Sequence, residues 1–208
     1  MGRHLLSFVG KVAAVAAFFT AWWWAYALLN ARGVASPRAV SFAPPTAGAP
    51  ELLLPWTAVL YVAGGVLLPL VPFYYYRTWP RVLLALAAYA LASGAAFACY
   101  WLWPVGIERP TYAGPGVGLW LMREVVAIDA AANCTPSSHA IFAILPATLV
   151  QWRAKSRSTR AAVWAAALAV CATTVTTGQH YFIDPVAGAV TALAAAYAVR
   201  RASPRGTV

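Results

Sequence analysis

Charge is what this sequence has least of. Asp, Glu, Lys and Arg make up only 10% of its 208 residues, while 62% are hydrophobic; an ordinary soluble domain carries roughly 25% charge. A chain so poor in charge does not cover itself with a solvated surface, which excludes a soluble enzyme and a disordered tail. Acids are scarcer still: five Asp and Glu stand against fifteen Lys and Arg, a formal net charge of +10. A nucleic-acid module clusters its cations on a polar face. Here long stretches carry none, so no nucleic-acid partner is expected. Cysteine is rare as well. Cys99, Cys134 and Cys171 lie far apart with no CxxC or Cys/His spacing, so neither a zinc site nor a disulfide framework is expected, and two of them read as small hydrophobes inside apolar helices. No metal and no cofactor is expected.

What is abundant is long apolar runs. A helix needs about 20 apolar residues to cross the hydrocarbon core of a bilayer, and candidate spans fall near 5–30, 52–74, 82–103, 137–152, 160–178 and 184–199. The fourth is short and interrupted by Pro146, which a membrane helix tolerates better than a soluble one. The first begins with a short basic stretch, but it outruns a signal peptide's apolar region and carries Trp22, Trp23 and Trp24, so it reads as a retained helix. Residues 115–132 place Arg123, Glu124 and Asp129 among Leu119, Met122 and Val126, a pattern that suits a helix lying at the interface. Residues 31–51, with Pro37, Pro44, Pro45 and Pro50, read as an external loop. The expectation is one all-α integral membrane domain over residues 1–208: six spans, and an interfacial helix between the third and fourth.

Six spans put both termini on one side, and the positive-inside rule says which. Eleven cations, Arg3, Lys11, Arg77, Arg81, Arg153, Lys155, Arg157, Arg160, Arg200, Arg201 and Arg205, fall on that side with no acid among them. Arg32, Arg38, Arg109 and Arg123 fall on the other, with all five acids. The termini are therefore expected in the cytoplasm. The aromatic runs Trp22–Trp24, Tyr74–Tyr76 and Tyr100–Trp103 fall near span ends, as interfacial belts do.

The ionisable residues of the outer edge are the candidates for chemistry. His4, on the cytoplasmic tail, reads as a bystander. His139 starts the fourth span and His180 follows the fifth, so the two face the same side. In Cys134-Thr135-Pro136-Ser137-Ser138-His139, Thr135 reads as a helix N-cap with Pro136 at the first helical position. The amides of Ser137, Ser138 and His139 are then free for an anion, or the fragment is a plain cap with two surface serines. In His180-Tyr181-Phe182-Ile183-Asp184-Pro185, Asp184 starts the sixth helix, or holds the His180 imidazole as a triad aspartate does, or both. Arg109 is a loop charge paired with Glu108, or a planar clamp for phosphate oxygens. The glycines of residues 113–118 lack a following Lys-Ser/Thr and read as turn residues.

Arg109-Pro110, Pro136-Ser137-Ser138-His139 and His180-x-x-x-Asp184, in this order, resemble the three signature motifs of the type 2 phosphatidic acid phosphatase (PAP2) superfamily, with the likeness covering roughly residues 50–200. The resemblance implies a six-helix bundle with its site at the outer edge of the cytoplasmic membrane and a phosphorylated lipid as substrate. It implies that His180 is the nucleophile on phosphorus, that Asp184 orients it, that His139 protonates the leaving group, and that Arg109, Ser137 and Ser138 hold the phosphate. Two departures stand out. Leu102 occupies the place of a lysine seven residues before Arg109, and Thr174 that of an arginine six residues before His180. The His-Tyr-x-x-Asp form and the stretch Leu54–Tyr61 look more like the branch of inositol phosphorylceramide and sphingomyelin synthases. That branch implies a lipid or inositol-type alcohol as acceptor in place of water. The competing expectation is a non-catalytic protein on the same scaffold, or a small lipid transporter. Against the transporter, no charge lies deep in any span.

Overall fold

The computed structural model describes residues 2–35, 40–41 and 53–203, with side chains for 6–35 and 53–203. The side chain of His4, most of the loop expected at 31–51, Arg38, Glu51 and Arg205 lie outside the described residues.

The described residues are mostly helical. The first apolar run forms α1 (Gly2–Ala35), which continues past the expected boundary near residue 30. There the Arg32 guanidinium lies over the Trp101 ring and donates to the Trp101 carbonyl. The second run is a single rod over Pro55–Tyr75, in which α2 (Ala58–Leu67) and α3 (Val71–Tyr75) are joined by a 3-10 turn at Leu68–Leu70. Pro69 and Pro72 fall at that junction, where each withholds an amide from the helical ladder. α4 (Trp79–Leu102) follows, then the shorter α5 (Val117–Ile128). The last three helices are α6 (Ser138–Arg153), α7 (Arg157–Thr176) and α8 (Ile183–Ala202). A two-residue parallel pairing, β1 (Val40–Ser41) with β2 (Val105–Gly106), ties the segment after α1 to the end of α4.

Four of these helical segments are long and apolar enough to cross a membrane: Leu6–Ala35, Pro55–Tyr75, Trp79–Leu102 and Arg157–Thr176. The helices expected as the fourth and sixth spans are present as α6 and α8. Sixteen residues make α6 about 24 Å long, and α8 has a buried aspartate in its first turn and Arg200 and Arg201 in its last.

The core is built around α6, whose residues from Ala140 to Val150 are all buried. α7 and α8 flank it. Small residues let α8 come close: Gly188, Ala192 and Ala196 are buried along one face, and a Cβ on Gly188 would stand 2.5 Å from the Ser137 carbonyl oxygen. Such small-residue seams are how helices approach one another without a solvent-driven hydrophobic effect. On the other flank of α6, Phe19, Trp22, Tyr89 and Phe142 pack edge-to-face or tilted as an aromatic layer. Buried tyrosine hydroxyls find carbonyls: Tyr76 donates to Leu149, Tyr89 to Pro69 and Tyr100 to Pro136.

The two ends of the bundle differ in charge. One gathers Lys11, which donates to the Arg77 carbonyl, and Arg200, which lies over the Trp152 ring. The other holds the carboxylates of Asp129 and Asp184, each facing a cationic or titratable partner.

Candidate active site

Helix packing brings His180, Asp184, His139, Ser137 and Ser138 together. The Gly188 contact sets the start of α8 against the start of α6, and two hydrogen bonds lock the junction. The Ser137 amide donates to the Asp184 carbonyl at 3.0 Å, and the Thr135 hydroxyl donates to Asp184 Oδ1. These contacts correct the expected cap. Ser137, not Thr135, is the N-cap of α6, accepting from the Ala140 amide, because the Thr135 hydroxyl is engaged by Asp184. The Ser137 amide is likewise taken and is not free for an anion.

Asp184 is fully buried. It sits in the first turn of α8, where Oδ2 accepts from the Tyr181 amide at 2.9 Å and stands 3.4 Å from His180 Nδ1. The cap itself is Phe182, with no side-chain hydrogen bond, so the carboxylate caps the turn before the helix and faces the imidazole at once. His180 is held on the backbone as well, its amide donating to the Thr174 carbonyl. Its Nε2 shares a 3.1 Å hydrogen bond with Ser137 Oγ. Since Oγ already accepts from an amide, its single hydrogen is available for Nε2. With that hydrogen directed at Nε2, the His180 proton is on Nδ1, the side that faces Asp184, where the structure forms no hydrogen bond.

His139 lies across from His180, the ring centroids 6.3 Å apart. It stacks on Tyr61 of α2 at 4.0 Å, and its Nδ1 shares a 3.1 Å hydrogen bond with the Tyr61 hydroxyl. A Cβ on Gly65 would come within 2.9 Å of the His139 ring, so the glycine is what lets the imidazole lie flat on α2.

Arg109 sits on the loop after β2. A latch holds that loop over the turn after α7: the Tyr112 hydroxyl donates to the Thr177 carbonyl, Gln179 donates to that hydroxyl, and Gly178, at φ +70°, packs under Pro110 where a Cβ would clash at 2.6 Å. Burial raises the Tyr112 phenol above its ordinary range, which keeps it a neutral member of the latch. The guanidinium of Arg109 donates to the Asp129 carbonyl and pairs with its carboxylate at 3.2 Å. Its ion-pair partner is therefore Asp129, at the end of α5, and not the exposed neighbour Glu108. Asp129 also accepts from the Tyr26 hydroxyl of α1 at 2.8 Å. The glycines at 114 and 116 have positive φ and serve the turn into α5.

An apolar groove of about 1090 Å³ runs up to this cluster. Its walls include Phe8 to Tyr26 of α1 and Tyr61 to Tyr74 of the second rod; Asp129, Ser138 and His139 line one end, Lys11 and Arg77 the other. Eighteen helical steps along α1 make it about 27 Å long. His180 lies behind Ser137 and does not line it. Among the described residues no three His, Cys, Asp or Glu side chains gather as a metal-binding group would.

Sequence reasoning missed Tyr61, Tyr26 and the pairing role of Asp129, and read Thr135 as a cap and not as a partner of Asp184. A tyrosine or aspartate beside an apolar run needs a polar partner, and that need was the available signal.

A family model described as the PAP2 superfamily matches residues 109–207. No curated protein matches the chain, and no solved structure does. The matched stretch contains Arg109, Ser137, Ser138, His139, His180 and Asp184; of the groove's walls, α1 to α4 precede it, whereas Val125 and Ile128 of α5 and Phe142 of α6 lie within it. The match supports the PAP2 superfamily for the C-terminal half of the chain.

Proposed function

We propose that the protein is a membrane enzyme that cleaves a phosphoester or phosphodiester of a lipid through a phosphohistidine on His180. The observation that carries this reading is the buried His180–Asp184 pair, 3.4 Å apart, with a second histidine facing it at the head of an apolar groove. A neutral imidazole with its lone pair on Nε2 is a nucleophile, and a carboxylate behind Nδ1 steadies the charge it gains. The P–N bond forms as the bond to the leaving oxygen breaks, with His139 donating a hydrogen to that oxygen. Arg109, Ser137 and Ser138 hold the phosphoryl oxygens, which requires the phosphate to displace the Ser137 hydroxyl from His180. Water or an alcohol then attacks phosphorus and releases His180. Water makes the protein a phosphatase; a lipid or inositol-type hydroxyl makes it a transferase.

The groove, about as long as the hydrocarbon core is thick, fits a lipid chain whose headgroup lies at His139. In this reading α6 and α8 also span the membrane: α6 is encased by its neighbours, so its 16 residues need not match the bilayer. α5, about 18 Å long at 12 residues with Trp120 exposed, lies at the interface. The sorting of lysine and arginine along the sequence supports a site on the outer face of the cytoplasmic membrane.

The test is His180→Ala in nanodiscs, assayed on phosphatidate, prenyl diphosphate and phosphoinositide, with and without added inositol. Activity should vanish, and rapid-quench labelling of the wild type should trap an acid-labile, base-stable phosphoenzyme. Full activity in the variant overturns the mechanism. A second reading, a silent scaffold or lipid transporter, draws on Leu102 and Thr174: the first is exposed at the end of α4 and the second buried, so neither supplies a cation. No label with any lipid favours it.

A further inference from the structure

We propose that Tyr26, seated by Asn30, is the donor that lets Asp129 release Arg109 to the phosphate, which makes these two α1 residues positioning residues for the clamp. The second end of α1 is shaped to the connection between α5 and α6. Tyr26, Asn30 and Gly33 follow one another at helical spacings of four and three, so they share a face. Asn30 is 6% exposed, a place where an amide is costly unless its polar atoms are bonded. It meets Ala130 twice: Nδ2 donates to the Ala130 carbonyl at 2.7 Å, and Oδ1 accepts from the Ala130 amide at 2.9 Å. Gly33 lets the chains come close, since a Cβ there would stand 2.9 Å from that of Ala132. Asn133 completes the dock by donating to the Tyr26 carbonyl. A helix that merely crossed a bilayer would not need these buried polar side chains on one face.

The dock sets the Tyr26 hydroxyl 2.8 Å from Asp129 Oδ1, while the Arg109 guanidinium stands 3.2 Å from Oδ2. The two oxygens of the carboxylate thus have separate donors, and a phosphate displaces only one of them. The ion pair is also not closed. The Nε–H of Arg109 is buried with no acceptor among the described residues, so Asp129 does not satisfy the guanidinium, and a phosphate offers it further oxygens in the planar fork that suits it. Once Arg109 turns away, Asp129 is left partly buried, where a carboxylate without a partner is costly. Tyr26 keeps it from that state, and its hydrogen bond strengthens when the guanidinium no longer shares the carboxylate's charge. Tyr26 and Asp129 both line the groove, so the exchange takes place where a headgroup would lie. Tyr26 acts through Asp129 and not on the phosphate. It belongs to α1, which precedes the stretch that matches the family, so the helix that walls the groove also sets the clamp.

The proposal rests on the reading of Arg109 as a phosphate clamp, and equilibrium binding of inorganic phosphate to the full chain in nanodiscs tests it without turnover. Arg109→Gln should abolish that binding. Tyr26→Phe, which keeps the ring in the groove, should weaken it about fivefold, the loss of one hydrogen bond to a charged group. Asn30→Ala should weaken it to a similar extent, by letting the hydroxyl drift from Oδ1. In an Asp129→Asn protein there is no charge to support, so adding Tyr26→Phe should change phosphate affinity by less than about twofold. A role in folding alone would weaken binding equally in both backgrounds, and that result overturns the proposal, as does wild-type affinity in Tyr26→Phe or Asn30→Ala. With phosphatidate as substrate, Tyr26→Phe should raise KM about fivefold at constant kcat; a fall in kcat alone speaks against it. If Arg109→Gln binds phosphate as well as the wild type does, the clamp is misassigned and the proposal falls with it. If the phosphate results hold but no lipid is turned over, it is the functional reading that fails, while the role of Tyr26 stands.

Discussion

Replacing Asp184 by Asn tests the site most directly, because the change keeps the shape and removes one charge. The carboxylate accepts from the Tyr181 amide and the Thr135 hydroxyl, and its Oδ2 lies 3.4 Å from His180 Nδ1. An amide has one acceptor oxygen, so its NH₂ faces either the Tyr181 amide and His180 Nδ1, which share Oδ2, or the Thr135 hydroxyl at Oδ1. If it faces Nδ1, the imidazole flips to the tautomer protonated on Nε2 and loses its nucleophilic lone pair; the same exchange in a hydrolytic triad costs about 10⁴ in kcat. If it faces Thr135 instead, a charge-assisted hydrogen bond worth roughly 1.5–3 kcal/mol is lost. In either case the attraction between the carboxylate and a positively charged histidine disappears. At this separation and an effective dielectric of about 20 it amounts to roughly 4–5 kcal/mol before desolvation. The expected result is a loss of at least about 10²-fold in kcat for phosphate release from phosphatidate, together with a lower Tm. Thr135→Val is the control: it removes one hydrogen bond from the same carboxylate and leaves its charge, so stability should fall by about 1 kcal/mol with most of the activity retained. An Asp184→Asn protein within about threefold of wild type, or a Thr135→Val protein equally impaired, would show that the carboxylate does not serve His180.

The helices were legible because membrane helices announce themselves by uninterrupted apolar length. The runs read at 137–152 and 160–178 became Ser138–Arg153 and Arg157–Thr176. Pro146 did not break α6, which is packed on all sides by other helices. The meeting of His139, His180 and Asp184 was legible too, since spans of alternating direction return residues to the same end. What stayed hidden was pairing across the fold. Glu108 is next to Arg109 in sequence, but the loop latched by Tyr112 and Gln179 turns the guanidinium toward Asp129, twenty residues away. Thr135 has the chemistry of a cap, yet a buried aspartate from α8 claims its hydroxyl, and the next hydroxyl along does the capping. Tyr61 lies in an apolar run like any core aromatic, and only the stacking of α2 on α6 shows that its hydroxyl belongs to His139.

Gly188→Val should separate α8 from α6, since its first side-chain atom would sit 2.5 Å from the Ser137 carbonyl; overpacking of this kind costs about 1–3 kcal/mol, read as a lower Tm with a parallel loss of activity. An unchanged Tm would mean that the helices do not meet there. Burial pushes the Cys134 thiol up to about 12, so at pH 8 only about 10⁻⁴ of it is thiolate, the reactive form. In a Cys99→Ser, Cys171→Ser protein, maleimide should label Cys134 only after unfolding, and prompt labelling of the native protein would refute its burial. The phosphate clamp is open to a test of its own. Of the described cations near the site, Arg123 donates to the Tyr112 and Gly114 carbonyls, and Arg109 alone holds a carboxylate. A phosphate that takes Arg109 must break the pair with Asp129, whose side chains are 13% and 14% exposed. Such a partly buried pair resists by about 1 kcal/mol or somewhat more, which is roughly a fivefold penalty on substrate affinity. Asp129→Asn keeps an oxygen for the Tyr26 hydroxyl while removing the competing charge, so KM for phosphatidate should fall about fivefold at constant kcat, and inorganic phosphate should inhibit more strongly. If KM rises instead, Asp129 holds Arg109 in the orientation that receives the substrate, and the two carboxylates of the site act alike, each aiming a cationic or nucleophilic partner at the same phosphorus.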